Sequence, residues 1–194
     1  MRKVVIANIL KPIDDVRTYE KIACSIAKTN KYEVNIIGNW SKKESSNPNI
    51  KFLPHHVRSN ELLKRFLLRI GILFKVLRTK PSVVVVQTHE LLFISLIWKL
   101  LIRSKIVYDV REDYKKNIKY LSKIFQPLKW FLSNSIRLKE KVSYLYIDMF
   151  WIAEKCYLND IDLPKNKTLI LDNRATEQSR KRIQLDGFFF YFVQ

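Results

Sequence analysis

Short apolar runs that stop at polar clusters recur along this chain, and they set its expected secondary structure. Val4-Val5-Ile6-Ala7-Asn8-Ile9 leads into Lys11-Pro12-Ile13-Asp14-Asp15, and Tyr32-Glu33-Val34-Asn35-Ile36-Ile37 stops at Gly38. Val83-Val84-Val85-Val86 delivers Gln87-Thr88-His89-Glu90, and Lys105-Ile106-Val107-Tyr108 delivers Asp109-Val110-Arg111-Glu112-Asp113-Tyr114. Continuous Val/Ile runs mark parallel strands whose two faces are both covered by helices. Further strands are expected at residues 50–53, about 146–152 and about 168–171.

Between the strands the period changes to that of a helix. A first helix, capped by Asp14 or Asp15, is expected to reach about Lys28, with Val16, Tyr19, Ile22, Ala23, Ile26 and Ala27 as its apolar stripe. Asn60 is expected to cap a long helix carrying Leu62, Leu63, Phe66, Leu67, Ile70, Phe74 and Leu77 on one side. A third helix is expected over residues 90–103, and a helical pattern over 114–146 is interrupted near Gln126-Pro127. Strands alternating with helices predict right-handed crossovers, and so an α/β fold with a doubly wound, mostly parallel sheet. Ligands bind such sheets beyond the carboxyl ends of the strands, which is where the polar clusters fall.

Composition narrows the function. The 194 residues are 47% hydrophobic, and 36 Lys plus Arg against 18 Asp plus Glu give a formal charge of +18. That excess favours anionic partners: nucleic acid, anionic lipid or phosphorylated ligands. Glycine occurs only at 38, 71 and 187, none in the first strand–helix turn, which excludes a dinucleotide fingerprint and a Walker loop there. No Cys/His cluster has zinc spacing and no serine sits in a nucleophile elbow. Oxidoreductase, P-loop enzyme, metalloprotein and α/β-hydrolase all drop out. Cys24 and Cys156 read as buried structural thiols.

Met1-Arg2-Lys3 enters a strand directly, so no secretory signal is expected, and the longest nearly apolar run, residues 91–102, is too short to span a bilayer. A cytoplasmic protein, peripheral to the inner face of the cell membrane, is expected. The basic residues Lys64, Arg65, Arg69, Lys75 and Arg78 of the long helix give two readings, a solvated charged face or a membrane-surface helix held to anionic head groups.

At the junctions, His89 is either a solvent-exposed residue of a helix capped by Thr88, or a hydrogen-bond partner for a polyol or phosphate. His55-His56 reads as a loop pair. The cluster from Asp109 to Tyr114 puts three carboxylates beside Arg111, whose planar fork suits phosphate while the acids suit sugar hydroxyls. A helix N-terminus accounts for Glu112 and Asp113, but not for Arg111.

These junctions resemble those of bacterial family 4 glycosyltransferases. The segment from Lys11 to Lys21 looks like their first strand–helix junction, Thr88-His89-Glu90-Leu91-Leu92 their fourth-strand motif, and Tyr108 to Tyr114 their fifth. Leu171-Asp172-Asn173 is similar to the segment that closes their N-terminal domain. The resemblance implies a GT-B architecture of two facing Rossmann-like domains, and transfer of a sugar from a nucleotide-sugar donor, usually with retention and without an essential metal. It places Asp14, Asp15, His89, Glu90, Arg111 and Glu112 along the acceptor side of the cleft. Many members have His where Arg111 stands.

The family's donor domain carries two glutamates eight positions apart, and none of the nine glutamates here has that spacing. Residues 1–175 are therefore expected to be the N-terminal, acceptor-side domain. Residues 176–194 are expected to be a linker and an aromatic tail, with the donor domain missing. The tail, Gly187 to Gln194, reads as a last edge strand or as the abrupt end of a longer design. No cofactor is expected, since the nucleotide sugar is a substrate bound mainly by the missing domain. The expected partners are a sugar acceptor, lipid-linked or polysaccharide, an anionic membrane surface and a donor-domain chain. A non-catalytic subunit supplying the acceptor platform is the alternative. A nucleic-acid-binding role fits the charge, but no binding motif accompanies it.

Overall fold

The computed structural model describes residues 1–58, 61–114, 117–118, 125–161 and 163–171. Seven strands form one sheet: β1 (Arg2–Pro12), β2 (Tyr32–Asn39), β3 (Ile50–His55), β4 (Val83–Val86), β5 (Lys105–Val110), β6 (Met149–Ile152) and β7 (Thr168–Ile170). Their order is β3-β2-β1-β4-β5-β6-β7, and every neighbouring pair is parallel. The chain begins in the middle, winds outward to β3, then returns to β4 and winds the other way. The order therefore reverses between β1 and β4, which is where a doubly wound sheet opens a crevice at its carboxyl edge.

Helices α2 (Leu62–Thr79), α3 (Leu92–Ile102) and α4 (Gln126–Ser143) lie on one face. Ile72 and Val76 of α2, and Leu92 and Trp98 of α3, pack there against Val5, Val84, Ile106 and Phe150 of the sheet. The other face takes α1 (Cys24–Ala27) and the helical segment before it, burying Tyr19, Ile22 and Ala23 against Ile6, Ile36 and Val85. A last short helix, α5 (Tyr157–Asp160), follows β6.

Several elements depart from the expected pattern. Residues 17–23 form a π-helix, seen in the bond from Lys21 N–H to the Val16 carbonyl at 3.1 Å. The widened turn swings Arg17 and Thr18 inward and leaves Val16 exposed, although Val16 belongs to the expected apolar stripe. Such π-turns gather at functional sites. Most of the predicted apolar side of the long helix turns outward: Leu63, Phe66, Leu67, Ile70 and Phe74 are exposed, while Leu77 packs against the core with Ile72 and Val76. β3 runs through Pro54 to His55, which an edge strand permits because its outer N–H side needs no partner. β6 starts at Met149, not at 146, because the turn after α4 holds Ile147 N–H on the Ser143 carbonyl at 3.0 Å.

Thr88 makes no side-chain cap: its hydroxyl is buried without a hydrogen-bond partner. Cys24 is half-buried and Cys156 is exposed, so neither is the buried thiol expected. Asn60, Asp172, Asn173 and the expected linker and tail lie outside the described residues. Among the described residues, no helix is long and apolar enough to cross a membrane.

Candidate active-site rim

The carboxyl edge at the switch point is filled by a buried polar network. β1 breaks register after Ala7, and Asn8 Oδ1 holds the irregular turn by accepting the N–H groups of Leu10 (3.0 Å) and Lys11 (2.9 Å). Asn8 Nδ2 donates to Gln87 Oε1 (3.3 Å), just past β4, and that oxygen also accepts the Thr18 hydroxyl (2.9 Å). Gln87 Nε2 donates to Asp109 Oδ2 (3.0 Å) at the end of β5. Asp109 is fully buried, and Arg17 meets it at 2.6 Å through Nη2. Arg17 Nη1 donates to the Leu171 carbonyl at 2.7 Å, just beyond β7. The space that glycines would leave open for a phosphate is thus occupied by protein side chains.

Above this network stands the rim. Asp15 Oδ1 accepts from the Thr18 N–H and hydroxyl (both 3.0 Å) and from Arg111 Nη2 (2.7 Å). Burial pushes the Asp15 carboxyl up, but the Arg111 charge and the Thr18 bonds outweigh it and hold it below the usual carboxylate range. The turn that presents Asp14 and Asp15 packs tightly on β2: a Cβ on Gly38 would sit 3.1 Å from the Lys11 carbonyl. Glu112 pairs with Lys11 at 3.3 Å and accepts from Asn117 at 3.0 Å. Asp14 is half-buried on the same turn. Asp14, Asp15, Arg111 and Glu112 therefore share one stretch of edge, above the ends of β1 and β5.

His89 opens a short 3₁₀ turn before α3, and its ring packs on Tyr114 with centroids 4.5 Å apart. Tyr114 in turn donates its hydroxyl to the Gln87 carbonyl at 3.3 Å, joining His89 to the network. Burial pushes the imidazole down to about 4, against the smaller opposing pull of Glu90, so it is neutral at physiological pH. Its Nδ1 is buried without a hydrogen-bond partner.

Glu90 turns away from the rim. Its carboxylate is held by Arg65 and Arg69 of α2, burying it between two helices. Burial raises its carboxyl, and the Arg65 bond and both guanidinium charges bring it below the ordinary value. Arg65 and Arg69 thus spend their charge inside the protein. Lys64 pairs with Glu61, while Lys75 and Arg78 are exposed along α2.

Residues that sequence reasoning passed over complete the edge. Trp40, exposed just after β2, lies 5.5 Å from the His56 ring and borders a recess of about 380 Å³ with Ile13, Lys42, Lys43, Phe52 and Pro54. His55 is buried, with Nε2 2.7 Å from the Ile9 carbonyl, and belongs to the fold and not to a loop pair. A second recess of about 450 Å³ lies between α1 and β6–β7, bordered by Ile22, Ile26, Trp151 and Leu169. Among the described residues, no three His, Cys, Asp or Glu side chains are placed to hold a metal ion.

No protein-family profile and no curated protein matches the sequence. Solved structures do share its fold. Sucrose-phosphate synthase from Thermosynechococcus elongatus superposes with a TM-score of 0.61 at 7% identity, over 89% of this chain and 48% of its own. A UDP-N-acetylglucosamine 2-epimerase from Rickettsia bellii gives 0.54 at 13%, over 96% of this chain and 48% of its own. Anabaena HepE, solved with UDP-glucose, gives 0.50 at 11%, over 96% and 50%. This chain has the Rossmann-like fold of one half of a GT-B protein. It spans about half the length of those structures.

Proposed function

We propose that this chain is the acceptor-side half of a sugar transferase, which takes a sugar from a nucleotide-sugar donor and passes it to a polysaccharide or lipid-linked acceptor at the inner membrane face. Residues 1–175 form that half on this reading, and the donor is held chiefly by a facing domain. The observation that carries the proposal is the Asp15–Arg111 pair fixed at the carboxyl edge at 2.7 Å, with Glu112 and a neutral His89 on the same rim. Glu112 accepts from sugar hydroxyls, Arg111 donates to them through the N–H groups that Asp15 leaves over, and neutral imidazole can do either. The apolar face of Trp40 suits the C–H face of a sugar ring while its rim stays wet. The likeness to proteins solved with, or named for, UDP-sugars supports the donor class.

A non-catalytic acceptor-binding subunit is the second reading, since the rim side chains can hold a saccharide without a donor site. Catalysis of transfer requires the two reacting centres to be held together, which one half cannot do alone. Titrating the 194-residue chain with short saccharides and a lipid-linked oligosaccharide tests both. Saturable binding weakened at least tenfold by Glu112→Gln and by Trp40→Ala is expected, and no saccharide binding at all would refute the acceptor role. Donor turnover by the chain alone separates the readings: measurable transfer favours the enzyme, and binding without transfer favours the subunit.

A further inference from the structure

Three neighbouring helices on one face of the sheet turn large apolar side chains to solvent. On α2 these are Leu63, Phe66, Leu67, Ile70 and Phe74, at the spacing of a single helix face, with Leu63 74% exposed. On α3 they are Phe93, Leu100 and Leu101, with Leu100 70% exposed. On α4 they are Trp130, Phe131, Leu138 and, after the helix, Leu145. The opposite sides of the same helices carry the core residues Ile72, Val76, Leu92, Trp98 and Ile136. The exposed residues are thus not core positions left bare but a second apolar face. α2 touches α3 and α3 touches α4, so the three stripes lie side by side. Trp130 and Phe131 alone present on the order of 250 Å², and monomers rarely expose contiguous apolar patches beyond a few hundred Å².

The charge exposed on these three helices themselves is of one sign. α2 and α3 contain no carboxylate, and the single one on α4, Glu140, is buried. Lys75 and Arg78 stand exposed on α2 and Lys141 on α4, while Lys129 and Lys139 of α4 are half-buried, with the Lys139 ammonium 5.9 Å from the Phe93 ring centre. Lysine is depleted at protein–protein interfaces, so an apolar field edged with lysines argues against a protein occupant. Leu, Phe and Trp on a broad face with Lys and Arg at its border suit the boundary between acyl chains and anionic head groups.

We propose that the outward face of α2, α3 and α4 is a docking surface for an anionic lipid bilayer. The surface is wider than the basic helix that the sequence alone suggests. It also works differently there, since Arg65 and Arg69 are held by Glu90 and the apolar stripe of α2 faces out. The proposal is independent of the sugar-transfer reading, because vesicle binding needs neither donor nor acceptor.

The test is co-sedimentation of the full chain with phosphatidylcholine vesicles, with and without phosphatidylglycerol. Binding to the phosphatidylglycerol vesicles, at least tenfold stronger than to pure phosphatidylcholine and weakened by salt, is expected. Leu67→Asp with Phe131→Asp should lower binding at least tenfold, with the circular dichroism of the wild type retained. Lys75→Glu with Arg78→Glu, which leaves the apolar stripe intact, should lower it severalfold. No binding to anionic vesicles, or binding unchanged in both variants, would overturn the proposal. So would a wild-type dimer in solution that the Asp variant converts to a monomer, since the face would then be covered by a second copy.

Discussion

Arg17 reaches across 92 residues of sequence to grip the carboxylate of Asp109, with Nε and Nη2 both donating and both partners out of contact with water. An ion pair so buried offsets its desolvation only through geometry and further hydrogen bonds, which Gln87 and the Leu171 carbonyl supply here. Arg17→Met strands a buried charge and is expected to lower stability by about 3–5 kcal/mol. Replacing both partners, Arg17→Met with Asp109→Leu, should recover much of that loss. Urea denaturation of the single and double variants checks the order, and a double variant no better than the single one would contradict it.

His89 gives the fold an acid-sensitive window. Its folded-state pKa of about 4 lies below the ordinary 6.5, because burial disfavours the charged ring. Above pH 6.5 the imidazole is neutral in both states and costs nothing. As the pH falls towards 4 the unfolded chain takes the proton first, and stability declines by up to about 3 kcal/mol. His89→Asn should flatten that decline. Denaturation curves at pH 7.5 and pH 4.5 measure it, and an unchanged slope in the variant would count against the burial of His89.

Glu140 on α4 tilts stability the opposite way. Burial pushes its carboxyl up to about 7 from 4.5, and Arg137, 3.6 Å away, offsets this only partly. The unfolded chain therefore releases the proton first as the pH rises, and stability falls between about 4.5 and 7. Glu140→Gln is expected to raise stability at pH 8 by about 1–3 kcal/mol and to change little at pH 4.5. The His89 and Glu140 slopes oppose one another in the native protein. Thermal melts of the two single variants across pH 4–8 should therefore bend in opposite directions.

The strands at the sheet centre were legible because a run such as Val83 to Val86 has no other stable use than burial on both faces. The junction residues were legible for the same reason, since strand ends follow once the strands are placed. What the sequence hid was pairing between distant charges. Nothing local distinguishes Arg17, turned inward by the π-turn, from Arg78, which is exposed, and Arg65 and Arg69 read as surface cations until the turn before α3 brings Glu90 to them. The outward stripe of α2 was visible as periodicity, but not its direction. Apolar residues cover both sides of that helix, and only contacts with the sheet show which side is covered. Trp40 gave one signal, an aromatic residue directly past a strand end, and it was passed over in favour of the charged clusters.

The bond from Arg17 to the Leu171 carbonyl fastens the outermost strand to the opening turn of the chain. The same guanidinium fixes Asp109, while the neighbouring Thr18 hydroxyl touches both Asp15 and Arg111. Leu171 thus stands within three contacts of the Asp15–Arg111 pair. The far edge of the sheet and the rim above β1 and β5 are therefore held by one connected set of side chains.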